Sequence, residues 1–170
     1  MKKKKYIKPI SINPELLEHS IELTIEGEPV GKGRPRVTTR GKFAHAYTPK
    51  KTKNYEQHVV NTYKSKYNYS HKLKGPLKSE VLAFFPIPKS ASKKKRELMK
   101  NNIITNTHKP DIDNIEKSIL DSLNGLAYED DSQIISLYGE KLYSDNPRVE
   151  LKIKEVKWVN DNGLWKRIDN

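Results

Sequence analysis

The run Lys109-Pro110-Asp111-Ile112-Asp113-Asn114-Ile115-Glu116-Lys117, continued by Ser118-Ile119-Leu120-Asp121-Ser122-Leu123-Asn124-Gly125, passes from extended to helical chain. Pro110 biases Lys109 toward an extended conformation. If Asp111 and Asp113 are extended too, alternation puts both carboxylates on one face, where they repel unless a cation lies between them. Asp113 or Asn114 is then placed to cap a helix through Ile115, Ile119, Leu120 and Leu123 that ends near Gly125. On that helix Lys117 and Asp121 follow Asp113 at intervals of one turn. A helix-to-strand return can bring back an acid from Tyr128-Glu129-Asp130-Asp131-Ser132.

Outward from this centre the pattern is that of one compact α+β domain. Ser20 to Glu26 alternates apolar and polar residues (Ile21, Leu23, Ile25), the period of a half-buried strand. Gly31, Gly33, Pro35 and Gly41 mark an irregular basic loop. Tyr55, Val59, Val60, Tyr63 and Tyr67 fit an amphipathic helix over about Thr52 to Tyr67. Leu77 to Ile87 reads as a second strand. Ser92 to Lys100 reads as a short basic helix with Ser92 as its N-cap. Gln133 to Tyr143 and Arg148 to Trp158 read as strands joined in a hairpin by the turn Ser144-Asp145-Asn146-Pro147. The expected organisation is a basic arm at 1–18, a domain at 19–158, and a tail or extra strand at 159–170.

With 170 residues, 34% of them apolar, the chain can bury one core without cross-links. It has no cysteine. That excludes a disulfide framework, a thiolate nucleophile and a cysteine zinc site, and fits a cytoplasmic setting. No apolar run is long enough to span a bilayer. Met1-Lys2-Lys3-Lys4-Lys5 is followed by Pro9, Asn13, Pro14 and Glu15 rather than by the apolar core of a signal peptide.

The net charge of +12, from 33 Lys and Arg against 21 Asp and Glu, points to a polyanionic partner, either nucleic acid or an anionic membrane surface. Gly31 to Lys53 holds eight basic residues and no acid, including Lys32, Arg34, Arg36 and Arg40. A second basic cluster holds Lys93, Lys94, Lys95 and Arg96. Between Asp111 and Asp131 stand seven acids and one base, Lys117. Basic flanks around acids suggest a phosphate-binding surface around a divalent-metal site; the plain alternative is a set of solvated faces. Magnesium takes hard oxygen ligands, so one or two carboxylates and a substrate phosphate suffice. It can lower the pKa of water and neutralise phosphoryl charge, while Lys117 stabilises the transition state or positions the water. Taken singly, Asp-x-Asp-Asn is also a good helix cap, and Asp130-Asp131-Ser132 an ordinary turn.

Taken together, Pro110 to Lys117, Leu120-Asp121-Ser122-Leu123-Asn124-Gly125 and Asp130-Asp131-Ser132-Gln133-Ile134 resemble the signature of the RusA family of Holliday junction resolvases. That signature is Asp-x-Asp-Asn-x-x-Lys, an Asp-Ala-Leu-like turn, and Asp-Asp-x-Gln before a strand. Gly27-Glu28-Pro29-Val30-Gly31-Lys32-Gly33-Arg34-Pro35-Arg36, with Tyr47-Thr48-Pro49, is similar to the phage and prophage variant. The resemblance covers about residues 20–157. It implies a mixed β-sheet packed by two main helices, and a homodimer dependent on magnesium or manganese that nicks opposing strands of four-way DNA junctions. It implies catalytic Asp111, Asp113, Lys117 and Asp131, with Asp111, Asp113, Asp131 and Asp130 as metal ligands. The link to Asp130-Asp131 is one residue shorter than in well-known members, which leaves the choice between those two open.

Lys32, Arg34, Arg36, Arg40 and Lys93 to Arg96 are then expected on DNA phosphates, giving affinity and salt dependence without sequence readout. Phe43, Tyr47 and Tyr55 are candidates for stacking on unpaired bases or for the core. Neither a membrane nor a small-molecule cofactor is expected. Two other functions share these features: a nuclease for flaps, forks and other branched DNA, and a DNA-binding module without catalysis. Acids clustered beside DNA repel phosphate unless a cation sits among them, and this argues against the module.

Overall fold

The structure, a computed structural model, describes residues 20–40, 43–67, 71–161 and 164–168. The arm expected at 1–18 lies outside them. Chain order is β1 (Ser20–Glu26), β2 (Arg36–Arg40), β3 (Phe43–Tyr47), α1 (Lys50–Tyr67), β4 (Leu77–Pro86), α2 (Lys93–Lys100), α3 (Ile112–Leu123), a 3-10 turn at Asp131–Gln133, β5 (Ile134–Ser144), β6 (Arg148–Glu155), β7 (Lys157–Asp161) and β8 (Leu164–Ile168).

A four-stranded mixed sheet in the order β1-β6-β4-β5 forms the centre. Alternation decides its two faces. Ile21, Leu23 and Ile25 of β1, Leu77, Val81, Ala83 and Phe85 of β4, and Val149, Leu151 and Ile153 of β6 are all buried. Over them lie Tyr55, Val59 and Tyr63 of α1 and Ile115, Ile119, Leu120 and Leu123 of α3. The opposite face carries charges, such as Lys152 paired with Glu22 across the strands and Arg148 with Glu150 along β6. It is a one-sided sheet, as antiparallel pairing permits. Among the described residues no helix is long and apolar enough to cross a membrane.

The hairpin expected between β5 and β6 does not form. β4 lies between them, parallel to β5 (Val81 opposite Gly139) and antiparallel to β6 (Val81 opposite Leu151). Ser144 to Pro147 therefore steps over the end of β4 at Pro86, a distance of about 10 Å that four extended residues cover. Turn residues suit a step as well as a reversal, so the sequence alone does not separate the two. Arg148 secures the step, donating to Ser144 Oγ and to the Asn146 carbonyl while lying 4.0 Å from the Phe84 ring centroid.

Three other expectations change. The basic loop is irregular only as far as Pro35, after which β2 and β3 pair antiparallel, Thr38 opposite His45. Val37, Thr38 and Thr39 supply the β-branched residues that favour this. Helix α3 begins two or three residues earlier than Asp113 or Asn114 as cap would allow, with Asp111 in the N-cap position. Asp113 thus lies in the first turn, and the two acids are not an extended same-face pair. The last strand read from the sequence breaks at Val156, and beyond it β7 and β8 form a separate two-stranded sheet. Helix α2 matches expectation, with Ser92 Oγ accepting from the Lys95 amide.

Ile119 is fully buried under α3. Ile119→Ala should cost about 2–5 kcal/mol, read as a lower urea midpoint with unchanged slope. A loss below about 1 kcal/mol would mean that α3 is not packed as described.

Candidate active site

Asp111 occupies the N-cap position of α3 with φ −70° and ψ 151°, yet its side chain caps nothing. Aspartate is among the best capping residues, so an exposed carboxylate that leaves the helix amides alone is available for another task. Asp113 stands in the first turn, exposed, with Asn114 Nδ2 donating to it at 3.2 Å. The positive end of the helix dipole favours both charges. Lys117, one turn on, is exposed, and none of the described ion pairs includes it.

Glu116 is the least expected group. It is only 8% exposed and has no hydrogen-bond partner among the described residues. Burial pushes its carboxyl above the ordinary glutamate range, and the charge of Asp113 adds to the rise. The charged form is therefore the one the fold disfavours, at any pH above the ordinary glutamate pKa. Its Oε1 lies over Gly139 of β5, where a β-carbon would stand 1.9 Å away. Gly139 also lines an open groove with Asp111, Asn106, Glu140 and Lys141. Lys141 donates to the carbonyls of His108 and of Pro110, the latter at 2.9 Å, and so holds the segment leading into Asp111. The peptide between Lys109 and Pro110 is cis.

Lys32 is built into the frame. Its ammonium lies 2.5 Å from Glu56 of α1 and 3.1 Å from Asp121 of α3, and its amide donates to the Asn114 carbonyl at 2.7 Å. Desolvation pulls its pKa down, but the bonds to Glu56 and Asp121 outweigh that and the net shift is upward. The charge expected on DNA phosphate is thus engaged with two carboxylates. Gly31 lies so close to the start of α3 that a β-carbon would stand 2.7 Å from Pro110 Cβ, just ahead of the helix, and 3.2 Å from Asn114 Cβ within it.

Arg34 and Arg36 are exposed and line a second groove together with Lys51, Lys109 and Pro110, next to Asp111 in sequence. The Arg40 side chain lies outside the description. Lys93, Lys94 and Lys95 are exposed, while Arg96 and Lys100 both pair with Asp145, at 3.4 and 2.6 Å. Tyr55 is buried in the core and unavailable to bases, Tyr47 is exposed, and the Phe43 side chain lies outside the description.

Asp130 and Asp131 separate cleanly. Asp130 caps the 3-10 turn, accepting from the Ser132 amide at 2.9 Å, while Gln133 Oε1 accepts from the Asp130 amide at 3.1 Å. Those bonds from Ser132 lower the Asp130 pKa. Asp131 is exposed, and its charge acts, with that of Asp121, on the Tyr128 hydroxyl beside Leu120. That point on α3 is about two turns from Asp113. The structure therefore sets Asp111, Asp113, Glu116 and Lys117 along the N-terminal half of α3, while the charge of Asp131 acts near Leu120, toward its C-terminal end. Among the described residues no three carboxylates or imidazoles are arranged to hold a metal ion.

Sequence reasoning counted Glu116 among the acids without giving it a role. It also passed over Gly139, Lys141 and Lys109. Of these only Lys109 had a signal, its place directly before Pro110-Asp111.

A family model described as Endodeoxyribonuclease RusA matches residues 26–154. A Bacillus subtilis (strain 168) protein described as Uncharacterized protein YqaN is 41% identical over 138 residues, 80% of this chain and 96% of that protein. A Lactococcus phage r1t protein described as Crossover junction endodeoxyribonuclease rusA is 37% identical over 82 residues, 48% of this chain and 56% of that one.

Arg34→Ala and Arg36→Ala should each reduce the slope of log affinity for DNA against log salt by about 1. Lys32→Ala should leave the slope nearly unchanged and lower stability by about 1–3 kcal/mol, since Glu56 and Asp121 would lose their partly buried counter-charge. Fluorescence anisotropy across a salt series, with thermal melts of the same variants, separates the two classes.

Proposed function

Given that the chain belongs to the RusA endodeoxyribonuclease family, we propose that it resolves four-way DNA junctions by metal-dependent phosphodiester hydrolysis, as a homodimer acting in recombination and repair in the cytoplasm. The observation that carries this reading is the Asp111 carboxylate, left uncapped beside Asp113 and Lys117 at the edge of an arginine-lined groove.

The donor set suits magnesium, and manganese in its place, because every candidate ligand is a hard carboxylate oxygen. Asp111 and Asp113 would hold the ion. Asp131, in the turn before β5 and about two helical turns from Asp113, would join them on a movement of that turn toward the start of α3 when metal and DNA bind. Of the adjacent pair, Asp131 is the better candidate, since the Asp130 carboxylate is engaged by the Ser132 amide. When bound, the cation activates water and neutralises charge on the phosphate. Lys117 offers its ammonium to the phosphoryl oxygens, where negative charge grows as the water oxygen bonds to phosphorus. One phosphorus–oxygen ester bond breaks, and the leaving oxygen ends protonated. Arg34, Arg36 and Lys93 to Lys95 orient the arms through phosphates.

A second copy would dock on β5. This strand ends the sheet, and among the described residues only the Asn106 amide bonds to its outer edge, at the Lys141 carbonyl. Ile135, Leu137 and Tyr138 are about half exposed along it. An apolar, uncharged edge invites pairing, and two antiparallel copies of one strand are related by a two-fold axis, the symmetry of the substrate.

A synthetic immobile four-way junction, a linear duplex and a fork should be offered with magnesium, manganese or EDTA. Paired nicks in the junction should disappear with EDTA and fall roughly 100-fold or more in Asp113→Asn. Equal cutting of the fork would make the protein a general branched-DNA nuclease, and binding without cleavage would leave a binding module. Leu137→Lys should convert a dimer to a monomer in light scattering; a parent that is monomeric at working concentration would overturn the dimer.

A further inference from the structure

We propose that Glu116 is an additional cation ligand, acting beside Asp113 from the next turn of α3. The inference rests on the metal-dependent reading above and adds a residue to it. Glu116 falls on one of the three unspecified positions of the Asp-x-Asp-Asn-x-x-Lys pattern, so the family signature does not require an acid there.

Three observations carry it. Residues three apart on a helix are neighbours, so Glu116 stands on the same side as Asp113. The residue is only 8% exposed and no described donor reaches its carboxylate, while its oxygens are not among the fully buried unpartnered atoms, so a narrow opening remains through which a cation can join it. The opposing strand is shaped for it. Gly139 lacks the positive φ that Gly27, Gly75 and Gly125 show, so the backbone there does not require glycine. What requires glycine is space: a β-carbon would meet Glu116 Oε1 at 1.9 Å, Ile112 Cγ1 at 2.7 Å and Glu116 Cδ at 2.9 Å.

A glycine in mid-strand gives up packing, and here it lets the acid lie across the strand. Gly139, over which the Glu116 carboxylate lies, lines the same groove as Asp111, and the charge of Asp113 is near enough to act on that carboxylate. Two carboxylates, water and a substrate phosphate complete a magnesium shell without a preformed cage of three acids. Isosteric removal of the charge takes away an oxygen ligand and leaves the packing in place.

Manganese binding to the intact protein, followed by electron paramagnetic resonance of the free ion, tests this without any cleavage assay. The parent, Glu116→Gln, Gly139→Ala and Asp113→Asn would be titrated without DNA, with melts in EDTA alongside. Glu116→Gln should weaken binding at least tenfold while melting in EDTA no lower than the parent. Gly139→Ala should weaken it too, by displacing the carboxylate. Should Glu116→Gln fail to fold, Glu116→Asp replaces it, and the same tenfold loss is expected from the shortened reach. Parent-like affinity in the folded Glu116 variant, with Asp113→Asn impaired, overturns this inference and leaves the nuclease reading intact. A parent that binds no manganese and cuts no junction overturns both.

Discussion

Lys32 makes two kinds of contact at once, and the geometry of the site depends on them. Its amide is bonded to the Asn114 carbonyl in the first turns of α3, and its ammonium sits between Glu56 and Asp121. Gly31, directly before it, touches the side chains of Pro110 and Asn114 so closely that no larger residue fits without movement. The loop from Gly27 to Pro35 has no ladder of its own to fix it. Fastened at this point, it carries Arg34 and Arg36 to the flank of the acids. Cations and carboxylates that are far apart in sequence thereby share one wall, which a phosphate-binding surface around a metal site needs.

A surplus of +12 is compatible with a stable fold because many of the charges near the site are paired for structural ends. Lys32, Glu56 and Asp121 tie α1 to α3; Arg96, Lys100 and Asp145 tie α2 to the step over β4. Asp130 serves the backbone of its own turn. Set apart from these are Asp111, Asp113, Lys117, Asp131, Arg34 and Arg36, all exposed. Exposed charges have a small effect on stability and stay available to a ligand. The division follows from geometry and could not be drawn from residue type, since a paired and an unpaired lysine look alike in sequence.

Alternation and helical spacing made β1, β4, α1, α2 and α3 legible, because a buried face leaves its period in the chain. Strand order left no such trace. The residues Ser144 to Pro147 satisfy a turn and a step equally, and which neighbour β4 takes is settled by tertiary packing. The hairpin of β2 and β3 was hidden because glycine and proline nearby outweighed three β-branched residues. At the site, a spacing rule marked Asp111, Asp113 and Lys117, whereas Gly139 and Lys141 act across the gap between β5 and α3. Contacts made over more than twenty residues of chain cannot be found from local pattern. Tyr55 shows the converse: an aromatic at helical spacing is core first, and its burial removed it from the stacking candidates.

β5 joins these separate tasks. Asp131 stands just before it, Gly139 in its middle makes room for the buried acid of α3, and Lys141 holds the carbonyls of His108 and Pro110 just ahead of Asp111. A shift of one residue in its register with β4 would put the neighbouring Tyr138 or Glu140 side chain where Gly139 now gives way, and would turn Lys141 to the other face. The register is therefore under two constraints, one from the core and one from the site. The same strand leaves its outer edge uncharged and half apolar between Ile134 and Gly139, where an isolated protein is expected to carry a charge or a proline. Pairing two copies there would link both sites through one stiff element, so that movement at one carboxylate cluster is felt at its twin. For the proposed paired cutting of a junction, that coupling would be a physical reason to place the acids, the glycine and the exposed edge on and beside a single strand.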